Sequence, residues 1–288
     1  MINTLLLIAL FYAHTGDSMS VTVRTLVITG YGASGGVECA YAARMAGADR
    51  VDIAHFADIV AGRVVIGEYN FLIFPGGFLD GDDLGTAQAA AERWKHAVPK
   101  TGAPLIEQLL AFIDNGRLIL GICNGFQLLV KLGLLPKFGD VYPERRAALT
   151  HNASARYEDR WCRLHVTSES PCIFTKGLDS LYLPVRHGEG RLVADEQTLA
   201  HLQQEHLIPV RYAAPDTGLP TEEYPHNPSE SPLGIAGLCD PSGRIFGLMP
   251  HPEAYNHPTN HPGWTRGESS PLGLRLFENA AAYLHGRA

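Results

Sequence analysis

The chain has 288 residues, 45% of them hydrophobic, and a formal net charge of -7 at pH 7. A chain of this length and apolar content can bury a substantial core, which excludes disorder as its default state. The acidic balance and the presence of only five lysines exclude a basic stripe that would bind the phosphate backbone of nucleic acids.

The cysteines are odd in number and irregularly spaced, which is typical of neither a disulfide framework nor a C-x-x-C zinc site. They are Cys39, Cys123, Cys162, Cys172 and Cys239. This pattern favours a reducing compartment, and we expect a cytoplasmic protein.

The first 18 residues contain an apolar run, from Thr4 to Ala13, that is about as long as the core of a signal peptide. The run is too short to span a bilayer, so we expect no membrane as a partner. No lysine or arginine precedes it and no A-x-A site follows it, but a secretory signal stays open as an alternative. We expect residues 1–18 to be an extension from a mis-assigned start, with Met19 as initiator and residues 19–288 as one domain.

From Val21 onward, short apolar runs alternate with helical patterns, which predicts a parallel sheet covered on both faces. A run that is apolar throughout, such as Leu118–Ile122, is typical of a central strand. The predicted elements, in chain order, are strand Arg24–Thr29, a helix with Val37, Ala40, Tyr41 and Met45 at helical spacing that ends at Gly47, strands Val51–Phe56 and Phe71–Phe74, helices Leu84–Val98 and Leu105–Asp114, and strand Leu118–Ile122.

After Pro136 the pattern changes to shorter alternating segments, which indicates antiparallel strands. They are Arg163–Thr167, Ser180–Val185, Arg191–Ala194 and a hairpin within 234–249, whose turn is Asp240-Pro241-Ser242-Gly243. A loop from Ala213 to Pro232 is interpreted as a lid or a partner-binding segment, and a helix over Leu272–Leu284 closes the chain. The predicted fold class is α/β, with a central, mostly parallel sheet, helices on both faces and an antiparallel extension.

The segment Gly121-Ile122-Cys123-Asn124-Gly125 lies between a predicted buried strand and a predicted helix that runs to about Lys131. Small residues on both sides of Cys123 permit the sharp turn of a nucleophile elbow. The helix dipole favours the thiolate form of a cysteine at a helix N-terminus. A buried structural cysteine is the alternative, but the two glycines and the strand-to-helix position favour a nucleophile.

A cysteine nucleophile needs a base and a group that orients the base. His251-Pro252-Glu253 supplies both, because residues two apart in an extended segment point to the same side and the proline stiffens the geometry. His257 and His261 make a metal site the competing idea, but no H-E-x-x-H or paired-cysteine pattern accompanies them. We predict no metal site and interpret these two as surface histidines.

Cleavage of an amide passes through an oxyanion, which preorganised hydrogen-bond donors stabilise by about 2.7 to 4 kcal/mol each. Gly76 and Gly77 follow a predicted strand, and the lack of side chains lets their N–H groups approach a ligand closely. The N–H of Asn124 is a further candidate donor. A plain tight turn is the alternative interpretation of the two glycines.

The motifs at Cys123, at His251 and Glu253 and at Gly76 and Gly77 together resemble those of the class I glutamine amidotransferases, which hydrolyse glutamine and pass on ammonia. The segments THNASARYE (150–158), HGEGR (187–191) and IAGLCDPSGRIFGLMPHPE (235–253) resemble those of the glutaminase subunits of phosphoribosylformylglycinamidine synthase. The resemblance implies a flavodoxin-like fold. One departure is the segment Leu79–Asp83, which differs from the serine- and tyrosine-containing version of the family.

The resemblance also implies the substrate contacts and the partners. Gln127 would contact L-glutamine, and Gly188 and Glu189 would approach its amino-acid end. No G-x-x-x-x-G-K-[ST] loop is present, so we expect this chain to bind no cofactor and a separate synthetase subunit to use ATP and Mg²⁺. A small bridging subunit is a further implied partner. The alternatives are a free-standing cysteine amidase of related fold and a non-catalytic regulatory module.

Overall fold

The computed structural model describes residues 21–138 and 144–286. The predictions made for residues 1–18 lie outside this part of the chain. Across those two ranges, no helix combines the length and the apolar character needed to cross a bilayer.

One large sheet organises the molecule. Its nine strands are ordered β2-β1-β3-β4-β11-β10-β9-β6-β7, and β5 pairs with β8 in a separate ribbon. The strands are β1 Arg24–Thr29, β2 Arg50–His55, β3 Phe71–Phe74, β4 Leu118–Ile122, β5 Ala147–Thr150, β6 Glu158–Val166, β7 Ser180–His187, β8 Arg191–Ala194, β9 Val210–Tyr212, β10 Ile235–Cys239 and β11 Ile245–Leu248.

The direction of pairing divides the sheet into two halves. Strands β2, β1, β3, β4 and β11 are joined to one another by parallel pairings. Strands β10, β9, β6 and β7 pair antiparallel. The predicted central parallel sheet and its antiparallel extension are confirmed, and the order 2-1-3-4 in the parallel half is that of a doubly wound flavodoxin-like sheet.

Helices pack on the parallel half in two groups. In the first, α1 packs against the C-terminal α7, and in the second α3 contacts both α4 and α5. The helices are α1 Gly36–Met45, α2 Phe56–Val60, α3 Gln88–His96, α4 Leu105–Asp114, α5 Asn124–Lys131, α6 Glu196–Gln204 and α7 Leu274–Leu284.

Helix α1 confirms the predicted helix but not the face suggested by its large apolar residues. Val37 is 70% exposed and Met45 is 55% exposed. The helix instead buries small residues, including Cys39 and Ala43, against the sheet. Small side chains allow a helix to approach a sheet closely, and the larger ones are left outside.

Two predicted segments are corrected at their ends. Helix α3 covers only Gln88–His96 of the predicted Leu84–Val98, because Ala87 adopts a left-handed conformation (φ 55°) that stops the helix there. The sequence pattern did not contain this stop signal. Strand β6 begins at Glu158, five residues before the predicted start at Arg163, and pairs with β7 along its length.

The turn between β10 and β11 is confirmed, and Asp240 stabilises it. Its carboxylate accepts hydrogen bonds from the Ile245 N–H at 2.8 Å and the Ser242 hydroxyl at 2.5 Å. This hairpin brings the chain back to the centre of the sheet beside β4, which places the segment that follows β11 close to the end of β4.

The loop Ala213–Pro232 is anchored at its C-terminal end. Asn227, Ser229 and Ser231 are fully buried, and the Ser231 hydroxyl accepts the Leu192 N–H at 2.8 Å. Buried, hydrogen-bonded side chains argue against a mobile lid along residues 227–231.

Candidate active site

Cys123 lies between β4 and α5 in the geometry of a nucleophile elbow. Its backbone has φ 51° and ψ −106°, a strained conformation for a residue with a side chain, which costs on the order of 1–3 kcal/mol. The Cys123 N–H donates to Leu248 at 2.8 Å, and its carbonyl accepts from Gln127 at 3.0 Å. The predicted turn is therefore confirmed, and both neighbouring elements hold the strained residue in place.

The two glycines of the G-x-C-x-G motif are needed for close packing. A Cβ at Gly125 would lie 1.9 Å from the carbonyl oxygen of Phe74, and one at Gly121 would lie 2.7 Å from Leu129. Helix α5 can therefore begin directly against β3 and β4 only where side chains are absent.

His251 and Glu253 form the expected pair. The distance from His251 Nδ1 to Glu253 Oε1 is 2.6 Å, and both side chains are buried. The His251 N–H donates to the carbonyl of Pro184 at 2.8 Å, which ties the segment to β7. The predicted extended geometry is wrong, because Pro252–Ala254 forms a 3-10 turn; the turn curls Glu253 back onto the imidazole.

Two neighbouring charges raise the pKa of His251. Burial alone lowers the pKa of the ring, but the charges of Glu253 and Cys123 outweigh burial and raise the pKa to about 10. Nε2 of His251 is buried and has no hydrogen-bond partner of normal length among the residues that the structure describes. A protonated His251 therefore has one N–H available to Cys123 or to a substrate.

Gly76 lies directly beside the Cys–His pair. A Cβ at this position would approach His251 Cε1 to 2.8 Å and Cys123 Cβ to 3.5 Å. Its carbonyl accepts the Ser34 N–H at 3.0 Å. Within the described part of the chain, the N–H groups of Gly76 and Gly77 have no backbone acceptor, and Gly77 lines the pocket over Cys123.

The segment that departs from the family pattern is bound to the start of α5. Asn124, fully buried, accepts the Leu79 N–H at 2.8 Å, and its amide nitrogen lies 3.2 Å from Asp82 Oδ1. Burial raises the pKa of Asp82. Asp80 forms an ion pair with Arg93 at 2.9 Å. The side chain of Asn124 thus positions this loop.

Two of the three predicted substrate contacts, Gln127 and Glu189, are joined by a hydrogen bond. Gln127 is 3% exposed, and its amide nitrogen donates to the carbonyl of Glu189. The Glu189 carboxylate lies 3.4 Å from Nδ1 of His151. A Cβ at Gly188 would meet only Tyr157, at 4.0 Å, so packing does not by itself require a glycine there.

The side chain of Asn152 connects the segments 150–158 and 187–191 by hydrogen bonds. Its amide nitrogen donates to the carbonyl of His187, and its oxygen accepts the Gly190 N–H at 3.0 Å. Burial and the charge of His251 lower the pKa of His187 to about 3. The THN and HGEG segments are thereby joined into one unit around a neutral, buried imidazole.

A pocket of about 190 Å³ opens over the triad. Ligand pockets for drug-sized molecules measure roughly 300–1,000 Å³, so this one suits a small metabolite. Its lining comprises Cys123, His251, Glu253 and Gly77 together with six residues that the sequence analysis missed: Ser34, Gly35, Glu38, Phe78, Tyr157 and Arg186. No spacing in the sequence links all six, because they come from four separate segments.

The two remaining histidines lie in different surroundings. His257 is exposed and caps a short 3-10 turn, as expected for a surface residue. The prediction of a surface position for His261 is wrong: it is 5% exposed and lies against the rings of Trp161, Tyr182 and Tyr255. Over residues 21–138 and 144–286, no three His, Cys, Asp or Glu side chains are placed to hold a metal ion.

Comparison with known proteins agrees with this geometry. A family model described as a CobB/CobQ-like glutamine amidotransferase domain matches residues 22–284. The phosphoribosylformylglycinamidine synthase subunit PurQ of Methanococcus maripaludis (strain C7) is 39% identical over 279 residues, covering 93% of this chain and 99% of the relative. The PurQ subunit of Dehalococcoides mccartyi is 38% identical, covering 91% and 97%.

The fold also matches a solved structure. The structure of PurLQS from Thermotoga maritima aligns with a TM-score of 0.66 at 24% identity, covering 91% of this chain and 99% of that one. The chain therefore belongs to the glutamine amidotransferase family, among the PurQ subunits of phosphoribosylformylglycinamidine synthase.

Proposed function

We propose that this chain hydrolyses glutamine to glutamate and ammonia, and that it delivers the ammonia to a synthetase subunit that makes formylglycinamidine ribonucleotide in purine biosynthesis. The observation that carries the proposal is the 2.6 Å bond between His251 and Glu253 in the same pocket as Cys123. The curated relatives, matched over nearly their whole length, carry the choice of acceptor.

In the first half of the proposed reaction, the Cys123 thiolate attacks the side-chain amide carbon of glutamine and a C–S bond forms. The N–H groups of Gly76, Gly77 and Asn124 would stabilise the negative oxygen. The proton on Nε2 of His251 passes to the amide nitrogen. The C–N bond then breaks, ammonia leaves and a γ-glutamyl thioester remains.

In the second half, His251 accepts a proton from water, which attacks the thioester carbon. The C–S bond breaks, glutamate leaves and the thiolate is restored. Glu253 holds the ring in one orientation and stabilises its protonated form throughout, as the acid does in a hydrolase triad. The raised pKa of His251, about 10, supports a protonated imidazole in the resting state.

Gln127, Gly188 and Glu189 stay the predicted contacts of the substrate. The hydrogen bond between Gln127 and the Glu189 carbonyl supports a role in holding the 187–190 segment beside Cys123. We further propose that this chain binds no cofactor and that the partner synthetase subunit uses ATP and Mg²⁺. A small bridging subunit would join the complex, and the protein would be cytoplasmic.

The test is glutamate release from glutamine by wild type, Cys123→Ala and the control Cys162→Ala, each with and without the synthetase subunit, ATP and formylglycinamide ribonucleotide. Cys162 is buried, and burial raises the pKa of its thiol to about 12, so it is not a nucleophile. We expect release that needs Cys123 alone and rises with the complete mixture.

The other outcomes separate the two parts of the proposal. If glutamate release needs Cys123 but does not change when the synthetase subunit is added, the proposed chemistry holds. The role in purine biosynthesis is then rejected, and a free-standing amidase is favoured. If thiol reagents do not modify Cys123, with or without glutamine, the chain is not an enzyme of this kind, and a regulatory module is favoured.

A further inference from the structure

The active-site pocket contains two opposite charges outside the catalytic triad. They belong to Glu38, in the first turn of α1, and Arg186, in β7. Both side chains reach solvent; that of Arg186 is 46% exposed. Glu38 forms no ion pair with any described residue, and Arg186 has only the marginal contact of 4.0 Å between its Nη2 and Glu253 Oε1.

Arg186 is held next to the nucleophile by its backbone. Its carbonyl oxygen lies 3.8 Å from Cys123 Sγ, and His187, the next residue, is buried and bonded to Asn152. The guanidinium, in contrast, faces the pocket without a close partner. Because its backbone is fixed next to Cys123 and its side chain lines the pocket without a close ion pair, Arg186 is placed to contact a molecule that enters the pocket.

The chemistry of free glutamine matches these two charges. Its side-chain amide must reach Cys123, and its α-carboxylate and α-ammonium groups are then at the other end of the molecule. A guanidinium binds a carboxylate through two parallel hydrogen bonds, and a carboxylate accepts hydrogen bonds from an ammonium. A glutamine residue inside a peptide carries neither charge.

Building on the proposed function, we propose that Arg186 binds the α-carboxylate of glutamine and that Glu38 binds its α-ammonium, so that this pair of residues selects the free amino acid. Each contact is a charge-assisted hydrogen bond, and removing one is expected to lower kcat/KM roughly 10- to 100-fold.

Glu189 is the rival for the ammonium group, because the family resemblance placed it at the amino-acid end of the substrate. Its carboxylate is 3.4 Å from His151 and 22% exposed, and it is not part of the pocket lining. Glu38 is part of that lining. The geometry therefore favours Glu38, and an experiment can compare the two acids directly.

The experiment measures ammonia release by the chain together with its synthetase subunit, on three substrates. These are glutamine, 4-aminobutanamide, which lacks the α-carboxylate, and glutaramate, which lacks the α-amino group. The variants are Arg186→Ala, Arg186→Lys, Glu38→Gln and Glu189→Gln, with Arg191→Ala as the control at an exposed arginine outside the pocket.

The expected result is a loss that depends on the substrate. Arg186→Ala loses 10- to 100-fold on glutamine and glutaramate but nothing further on 4-aminobutanamide, and Arg186→Lys recovers part of the loss. Glu38→Gln loses on glutamine and 4-aminobutanamide but not on glutaramate. Protection of Cys123 from alkylation by each compound provides the same comparison where turnover is too slow to measure.

Two results would overturn the inference. An equal loss on all three compounds for Arg186→Ala would mean that Arg186 acts through Glu253, at 4.0 Å, and not on the substrate. A substrate-selective loss in Glu189→Gln, with Glu38→Gln unchanged, would move the ammonium site to Glu189. Failure of the proposed function is distinct, because wild type itself would then release no ammonia from glutamine.

Discussion

The two halves of the large sheet contribute different parts of the site. The parallel half provides Cys123 at the end of β4 and the glycine loop after β3, where function depends on the backbone and on missing side chains. The antiparallel half provides Arg186 on β7, and a contact with β7 at Pro184 holds His251 in place. The contribution of the parallel half therefore depends on exact backbone positions. The contribution of the antiparallel half depends on charge, so we expect it to tolerate small shifts in position but not the loss of the charge.

The largest effect is expected from neutralising a charge. Glu253→Gln should lower kcat by up to about 10⁴-fold, as loss of the triad acid does in serine proteases. It should also lower the pKa of His251, which Glu253 raises to about 10 in wild type. The wild-type ring loses its proton as pH rises through 10, so the alkaline limb of kcat/KM lies there and should move to lower pH in the variant.

A pH profile of kcat/KM from pH 6 to 11 measures this shift, with Glu107→Gln on the exposed face of α4 as control. An alkaline limb at the same pH in Glu253→Gln would show that another group supplies the proton.

A steric change in the parallel half should have the next largest effect. In Gly76→Ala the new Cβ would lie 2.8 Å from His251 Cε1, so the ring or the loop must move. Displacing one oxyanion donor costs about 10²–10³-fold in kcat, and we expect a loss in this range with little change in thermal stability. Gly67→Ala is the matched control, because a Cβ there meets nothing within 4 Å. A wild-type kcat in Gly76→Ala would show that the glycine loop takes no part in catalysis.

The buried histidine of the antiparallel half should affect stability more than rate. The pKa of His187 is about 3 in the fold, against about 6.5 in an unfolded chain. Between these values the unfolded chain binds the proton and the fold does not, so stability falls as pH drops from 6.5 toward 3. His187→Gln should therefore lose less unfolding free energy than wild type between pH 7 and pH 4.5.

Urea denaturation at both pH values measures this difference, with the exposed His96→Gln as control. An equal pH dependence in His187→Gln and wild type would mean that His187 is protonated in the fold.

The smallest effect is expected on the outer face of α1. Tyr41 is 46% exposed, so Tyr41→Ser should change the free energy of unfolding by no more than about 0.5 kcal/mol. Ala43, 1% exposed on the opposite face, is the matched control, and Ala43→Ser should cost about 1–3 kcal/mol by burying a hydroxyl. Urea denaturation compares the two; a larger cost for Tyr41→Ser would mean that this face is covered.

Local sequence patterns predicted the parallel half well. The strand over Leu118–Ile122, the turn at Cys123 and the helix to Lys131 are confirmed with their bounds. Each depends on interactions between near neighbours in the chain. The left-handed stop at Ala87 had no such signal, and the predicted helix was too long there.

The antiparallel half and the segment that follows β11 were predicted less completely. The pairing of His251 with Glu253 was predicted, but through an extended segment where a turn is present. The buried surroundings of His261 were missed, because Trp161 and Tyr182 reach it from strands that are about 80 to 100 residues away in the chain.

The sequence by itself predicted the nucleophile, its base and the acid behind the base, because the glycines around Cys123 and the two-residue spacing of His251 and Glu253 are local patterns in the chain. Only the tertiary structure decided what surrounds them. Glu38, Tyr157 and Arg186 share one pocket with Cys123 because the sheet brings β4 and β7 to the same site as the start of α1. Side chains that meet through folding leave no spacing in the sequence, and their charges become a site only when the strands are in register.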